Sequence, residues 1–192
     1  MITEAAAQAG AFPFPAGGKD AALVVGLAPG MYSAHVNAAT GGPGVALIEV
    51  YEIGGGGQGA PRMLNLSARS PVGRGEDILI VGLYVSGDAP KRYLVRGIGP
   101  TLKTYDVPGV LENPRLSLYQ GKDLVRQNDD WASGSDAGDI AAAAAQAGAF
   151  PLTAGSKDAA MLVYLAPGSY SAHVNGVNDT TGVALVEVYE VP

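Results

Sequence analysis

The chain has 192 residues, of which 47% are apolar and only 16% charged, with 28 Gly and 13 Pro. That balance suits a sizeable core built from short strands and many turns, and it disfavours long helices. A net charge of −6, from 12 basic and 18 acidic residues, argues against a nucleic-acid partner, and the absence of Cys excludes disulfides, thiolate nucleophiles and Cys-ligated metals.

In chain order, the first predicted element is a short helix at Glu4 to Phe12, within the Ala-rich "EAAAQAGAF". Runs between Gly and Pro signals predict strands at 20–27, 31–37 and 44–52. "GGGGQGAP", residues 54–61, has the composition of a flexible linker. Further strands are predicted at 63–69, 76–86, 91–98, 115–119, 123–127, 158–165, 169–175 and 182–190. A second short helix of a turn or two is predicted in "IAAAAAQAGAF" after Asp139, which is a candidate cap. No apolar run approaches the roughly 20 residues that span a bilayer. "MITEAAAQAG" lacks the basic and apolar regions of a signal peptide, so an exported protein would have lost its signal.

Residues 5–53 align with 143–191 without a gap at a constant offset of 138, and about 34 of 49 positions are identical. Most substitutions exchange apolar residues, such as Leu23 for Met161 and Ile48 for Val186. The one dissimilar block, "AATGGP" against "GVNDTT", has turn composition. Residues 62–140 have no second copy. The expected organisation is therefore the three-strand C-terminal half of a repeat unit at 1–53, the linker, and a complete β-sandwich unit at 62–192. "LAPG", which recurs at 27–30 and 165–168, reads as the turn of a hairpin between two strands.

In "YSAHVN" the alternation places Tyr32, Ala34 and Val36 on one face and Ser33, His35 and Asn37 on the other. "GVALIEV" and "DILIVGLYV" are apolar at nearly every position, so both of their faces must be covered. Either the sandwich is large enough, or neighbouring units or chains cover the outer sheet.

Several residue groups carry candidate chemistry. Asn128, Asp129, Asp130, Asp136 and Asp139 gather in "QNDDWASGSDAGD", an oxygen-rich loop of the kind that holds Ca²⁺, although its spacing does not match an EF-hand. A solvated acidic turn is the plainer reading of that loop. The two histidines, His35 and His173, sit beside Ser33 and Ser171, and Glu49 or Asp158 would have to supply the acid of a triad. No nucleophile elbow or phosphate-binding loop is present, and no catalytic residues are assigned. A polar row on a sheet face, or contacts between repeats, accounts for the histidines instead. Tyr51 and Tyr189 recur in "EVYE" on the same face as Glu49 and Glu187 and are, with the histidines, candidate assembly contacts. Trp131 is expected to pack at the edge of the core.

"PRLSLYQGKDLVRQNDDW" and "KDAAMLVYLAPGSYSAHVNGVNDTTGVALVEVYE" resemble the bacterial pre-peptidase C-terminal domain, with a strand pair ending in "NDD", then a "LpaGtYyvxV" element and a closing strand. The resemblance covers about 114–191, and 20–53 for the half unit. It implies an all-β, jelly-roll-like antiparallel sandwich that serves as an accessory or structural module outside the cell, without catalysis and without a cofactor, although members of the family sometimes bind calcium, carbohydrate or protein. The leading expectation is an extracellular structural or adhesive repeat that self-assembles head-to-tail into filaments by strand complementation. Its partners would be further copies of itself, a surface polysaccharide or another protein. The alternative is an accessory domain of a larger secreted enzyme that binds calcium or carbohydrate.

Overall fold

The computed structural model describes residues 2–42, 44–53 and 62–192. The linker expected at 54–61 lies outside the described residues. The chain divides into two units, 1–63 and 64–192.

The second unit holds eight strands: β1 (Asn65–Val72), β2 (Leu79–Val85), β3 (Lys91–Ile98), β4 (Pro114–Gln120), β5 (Asp123–Asn128), β6 (Ala159–Leu165), β7 (Gly168–Gly176) and β8 (Gly182–Val191). They form two four-stranded sheets in the orders β1-β8-β3-β6 and β2-β7-β4-β5, with every ladder antiparallel. This interleaving is a jelly roll, so the sequence-based fold class holds. Alternating side chains from both inner faces fill the core, with Val95, Leu116, Leu118, Met161, Ala172 and Val186 fully buried.

One local expectation is corrected. β6 lies in the first sheet, where it pairs with β3, whereas β7 lies in the second, between β2 and β4. The "LAPG" segment therefore crosses from sheet to sheet and does not close a hairpin. Alternation specifies which side of a strand is buried but carries no information about the strand's neighbour. Among the described strands, only β4 and β5 are both consecutive and paired; Gly121, with φ of 60°, supplies the left-handed residue of their turn.

Of the segments apolar on both sides, β8, the copy of "GVALIEV", is covered by the same chain, whereas β2, from "DILIVGLYV", is not: its outer residues Ile80 and Tyr84 are 51% and 73% exposed, so the expectation of two covered faces is corrected there. A helix, Ala137–Gln146, lies over the outer face of the first sheet. Its Ile140, Ala143 and Ala144 pack with Leu94 of β3, Ala160 of β6 and Tyr189 of β8, and Trp131 adds to this cluster as expected. The helix has ten residues, more than the turn or two anticipated. Its position is fixed by burial, which alanine propensity does not report. The 3-10 turn Pro100–Tyr105 covers a further part of that face through Leu102, which packs with Ile98 and Val110.

In the first unit, a helix spans Ile2–Ala9 with none of its residues buried. The strands expected at 20–27, 31–37 and 44–52 are not present: the described residues there form no ladder, and Leu23, Leu47 and Val45 are 78%, 71% and 100% exposed. The ladders of the complete unit supply the reason. β6 pairs with β3, β7 with β2 and β4, and β8 with β1 and β3. None of the last three strands pairs with another of them, so a copy of this half alone has no strand partner.

Candidate assembly site

The unit consists of a front half, β1 to β5, into which a back half, from the second helix through β8, is inserted. Two buried charged residues of the back half hold it there. The first is Glu187, on the outer face of β8 between Ser67 of β1 and Arg96 of β3. Arg96 is 0% exposed; its Nε donates to Glu187 Oε2 at 2.8 Å, and its Nη2 bonds the same oxygen. Its Nη1 donates to the Phe150 carbonyl at 2.6 Å, and its guanidinium carbon lies 4.5 Å from the Phe150 ring centroid. Glu187 Oε1 accepts from Tyr189 Oη at 3.0 Å and from Ser67 Oγ at 3.4 Å. Burial, then the Glu187 charge, pushes the Tyr189 hydroxyl up to about 12.

The second is Asp158, also 0% exposed. Its carboxylate accepts from Gly99 N at 2.8 Å, Thr101 N at 3.2 Å, Thr101 Oγ1 at 2.5 Å and Ser156 Oγ at 2.5 Å. These amides open the 3-10 turn, whose first N–H groups have no partner within the turn. A back-half carboxylate thus caps a front-half turn.

A close backbone approach completes the fit. A Cβ on Gly182, at the start of β8, would lie 2.6 Å from both Val110 O and Leu111 N. Only glycine allows the Leu111 N to Val183 O and Val183 N to Gly109 O bonds, each 2.8 Å.

The predicted site residues fall in different places. Tyr189 is 8% exposed beneath the helix, so it serves the interior of the unit. Its copy Tyr51 is exposed and donates to Glu49 Oε1 at 3.0 Å. His35 is exposed. His173 lies on the outer face of the second sheet; its Nε2 is 2.9 Å from Ser171 Oγ and its ring is 4.8 Å from that of Tyr119. Burial holds this imidazole below its ordinary value. Ser171 and His173 therefore meet, but the acids considered for a triad are engaged elsewhere: Asp158 at the 3-10 turn, and Glu49 with Tyr51.

Among the described residues, no group of three or more His, Asp or Glu is placed to hold a metal ion. Asn128 Oδ1 accepts from Ala160 N at 3.0 Å and ties β5 to β6. The Asp130 carbonyl accepts from Ser133 N and Oγ. Asp136 sits at the helix N-cap, but its side chain pairs with Arg126 at 2.5 Å and does not cap. Asp139 lies in the first helical turn and Asp129 at the end of the β4–β5 hairpin.

The sequence reading weighed Asp158 only as the acid of a triad and placed Glu187 only on the face of Tyr189, and it missed that both tie the back half to the front half. The usable signal was the retention of both acids in the copy, as Asp20 and Glu49.

No protein-family model matches the chain, and no curated protein matches it. Among solved structures, the chain is similar to the pre-peptidase C-terminal domain of a collagenase from Bacillus anthracis. The two are 12% identical over 65% of this chain and 89% of that one, with a TM-score of 0.39.

Proposed function

We propose that the protein is a non-catalytic structural module of the bacterial cell exterior, adhesive in role, that self-assembles head-to-tail by strand complementation. The observation that carries this reading is the pairing pattern. All three C-terminal strands form ladders only with the front half, and the described residues of 20–53 repeat them without forming any ladder. An apolar, unpaired segment of this kind is a liability unless another front half receives it. Each chain offers two back halves for one front half, so complementation proceeds by exchange. Because donor segment and acceptor groove are different surfaces, the contact is heterologous and propagates as an open fibre.

Size-exclusion chromatography with light scattering, followed by electron microscopy, tests the reading. The expected result is a concentration-dependent series above the 19.4 kDa chain, with linear particles. A monodisperse chain at all concentrations, with residues 1–53 protected from exchange, contradicts it.

A further inference from the structure

Resting on the self-assembly reading, we infer that residues 12–53 dock into the front half of a second copy, with Asp20 and Glu49 as the recognising groups. Asp20 would meet the amides of Gly99 and Thr101 of that copy, and Glu49 its Arg96.

Three residues of the segment support this, because each repeats a position that the front half dictates in the complete unit. Asp20 is the counterpart of Asp158, Glu49 of Glu187 and Gly44 of Gly182. In the complete unit each of those positions is dictated by the front half: two turn amides, a buried guanidinium, and backbone that leaves no room for a Cβ. In the free segment Asp20 and Glu49 are exposed, and a Cβ on Gly44 would meet nothing within 4 Å. The phenylalanine whose carbonyl and ring contact Arg96 is also repeated, as Phe12 for Phe150.

Parts of the segment already have the docked geometry. Tyr32 Oη donates to Ala28 O at 2.9 Å, as Tyr170 Oη does to Ala166 O at 3.0 Å. Tyr51 Oη holds Glu49 Oε1 at 3.0 Å, as Tyr189 Oη holds Glu187 Oε1 at 3.0 Å. Such local order lowers the entropy lost on docking.

The chemistry also makes the acceptor selective. When a filler covers Arg96 and the turn amides in place of the chain's own back half, a buried cation left without a carboxylate is strongly disfavoured. A filler therefore needs an acid at both places. The exchanges Leu23 for Met161 and Ile48 for Val186 keep the core apolar at similar volume. Gly26 in place of Tyr164 weakens a strand, which makes the N-terminal segment the poorer filler and leaves the C-terminal one seated in the isolated chain.

The chain has no Cys, so a disulfide trap is clean. Arg69 and Leu185 are cross-strand partners of β1 and β8, at a separation a disulfide spans, and Leu185 corresponds to Leu47. Full-length R69C and L47C chains are unfolded together, refolded at high concentration in a glutathione redox buffer, and separated without reductant. A heterodimer absent from either chain alone is the expected product, and D20N/E49Q in the L47C chain lowers its yield by at least about tenfold. Equal yield from the D20N/E49Q chain overturns the roles of Asp20 and Glu49 while self-assembly stands. Polymer from the wild-type chain without any heterodimer overturns the docking. Absence of both removes the assembly reading itself.

Discussion

Arg96 and Glu187 face each other across β3 and β8 on the outer side of a sheet, yet neither is open to water: their side chains are 0% and 5% exposed. The ion pair is roofed by Phe150 and flanked by Tyr189, so the strand that closes the sandwich is held by charge as well as by apolar burial. Glu187→Leu leaves the guanidinium buried without its carboxylate and is expected to lower unfolding stability by about 3–5 kcal/mol. Adding Arg96→Met to that variant restores most of the loss, because two apolar residues in place of a buried pair are close to neutral. Urea denaturation of the wild type, the single and the double variant measures both effects.

Asp158 serves four donors at one carboxylate, so its removal strands more polar groups than the removal of any one of them. Asp158→Ala is expected to cost more than about 2 kcal/mol, and Thr101→Ala less, since the latter still leaves the Gly99 and Thr101 amides bonded. Thermal unfolding of the two variants under one buffer gives the order.

Gly182 and Gly44 hold equivalent places in the repeat but differ in surroundings. Gly182→Ala drives a Cβ to 2.6 Å from two backbone atoms and is expected to cost about 2 kcal/mol or more. Gly44→Ala meets open space and leaves the melting temperature of the isolated chain unchanged. Differential scanning calorimetry separates the two, and a matching loss in both variants contradicts the account.

Tyr189 gives the unit an alkaline limit. Its hydroxyl is raised from 10.0 to about 12, so between those values the folded chain keeps a proton that the unfolded chain releases. This contribution is fully present below about pH 10 and is lost as pH rises toward 12. Tyr189→Phe flattens that part of the stability–pH curve, as followed by urea midpoints at pH 9 to 12.

The strands of the complete unit were legible because Gly and Pro punctuate them and one face of each strand is apolar. β3, read at 91–98, is Lys91–Ile98, and β7, read at 169–175, is Gly168–Gly176. Partners were not legible, since Tyr170, Ala172 and Val174 read the same whether β7 neighbours β6 or lies in the opposite sheet. The fate of 20–53 was misjudged for the same reason: its residues have strand character, but strand formation requires the front half that supplies their hydrogen bonds. The roles of Asp158 and Glu187 were hidden by chemistry. Glu187 reads as solvent-facing until a helix and Phe150 are known to cover its face, and Asp158 until the 3-10 turn is known to set its amides around the carboxylate.

Hydrogen exchange, resolved by peptide, tests the central claim that one front half accepts either copy of the back half. In dilute monomer, amides of 159–165, 168–176 and 182–191 are expected to be protected and those of 20–53 to exchange at once. In the assembled fraction, 20–53 gains protection comparable to that of the C-terminal strands. Fast exchange of 20–53 in the assembled fraction, or its full protection in the dilute monomer, would contradict the account.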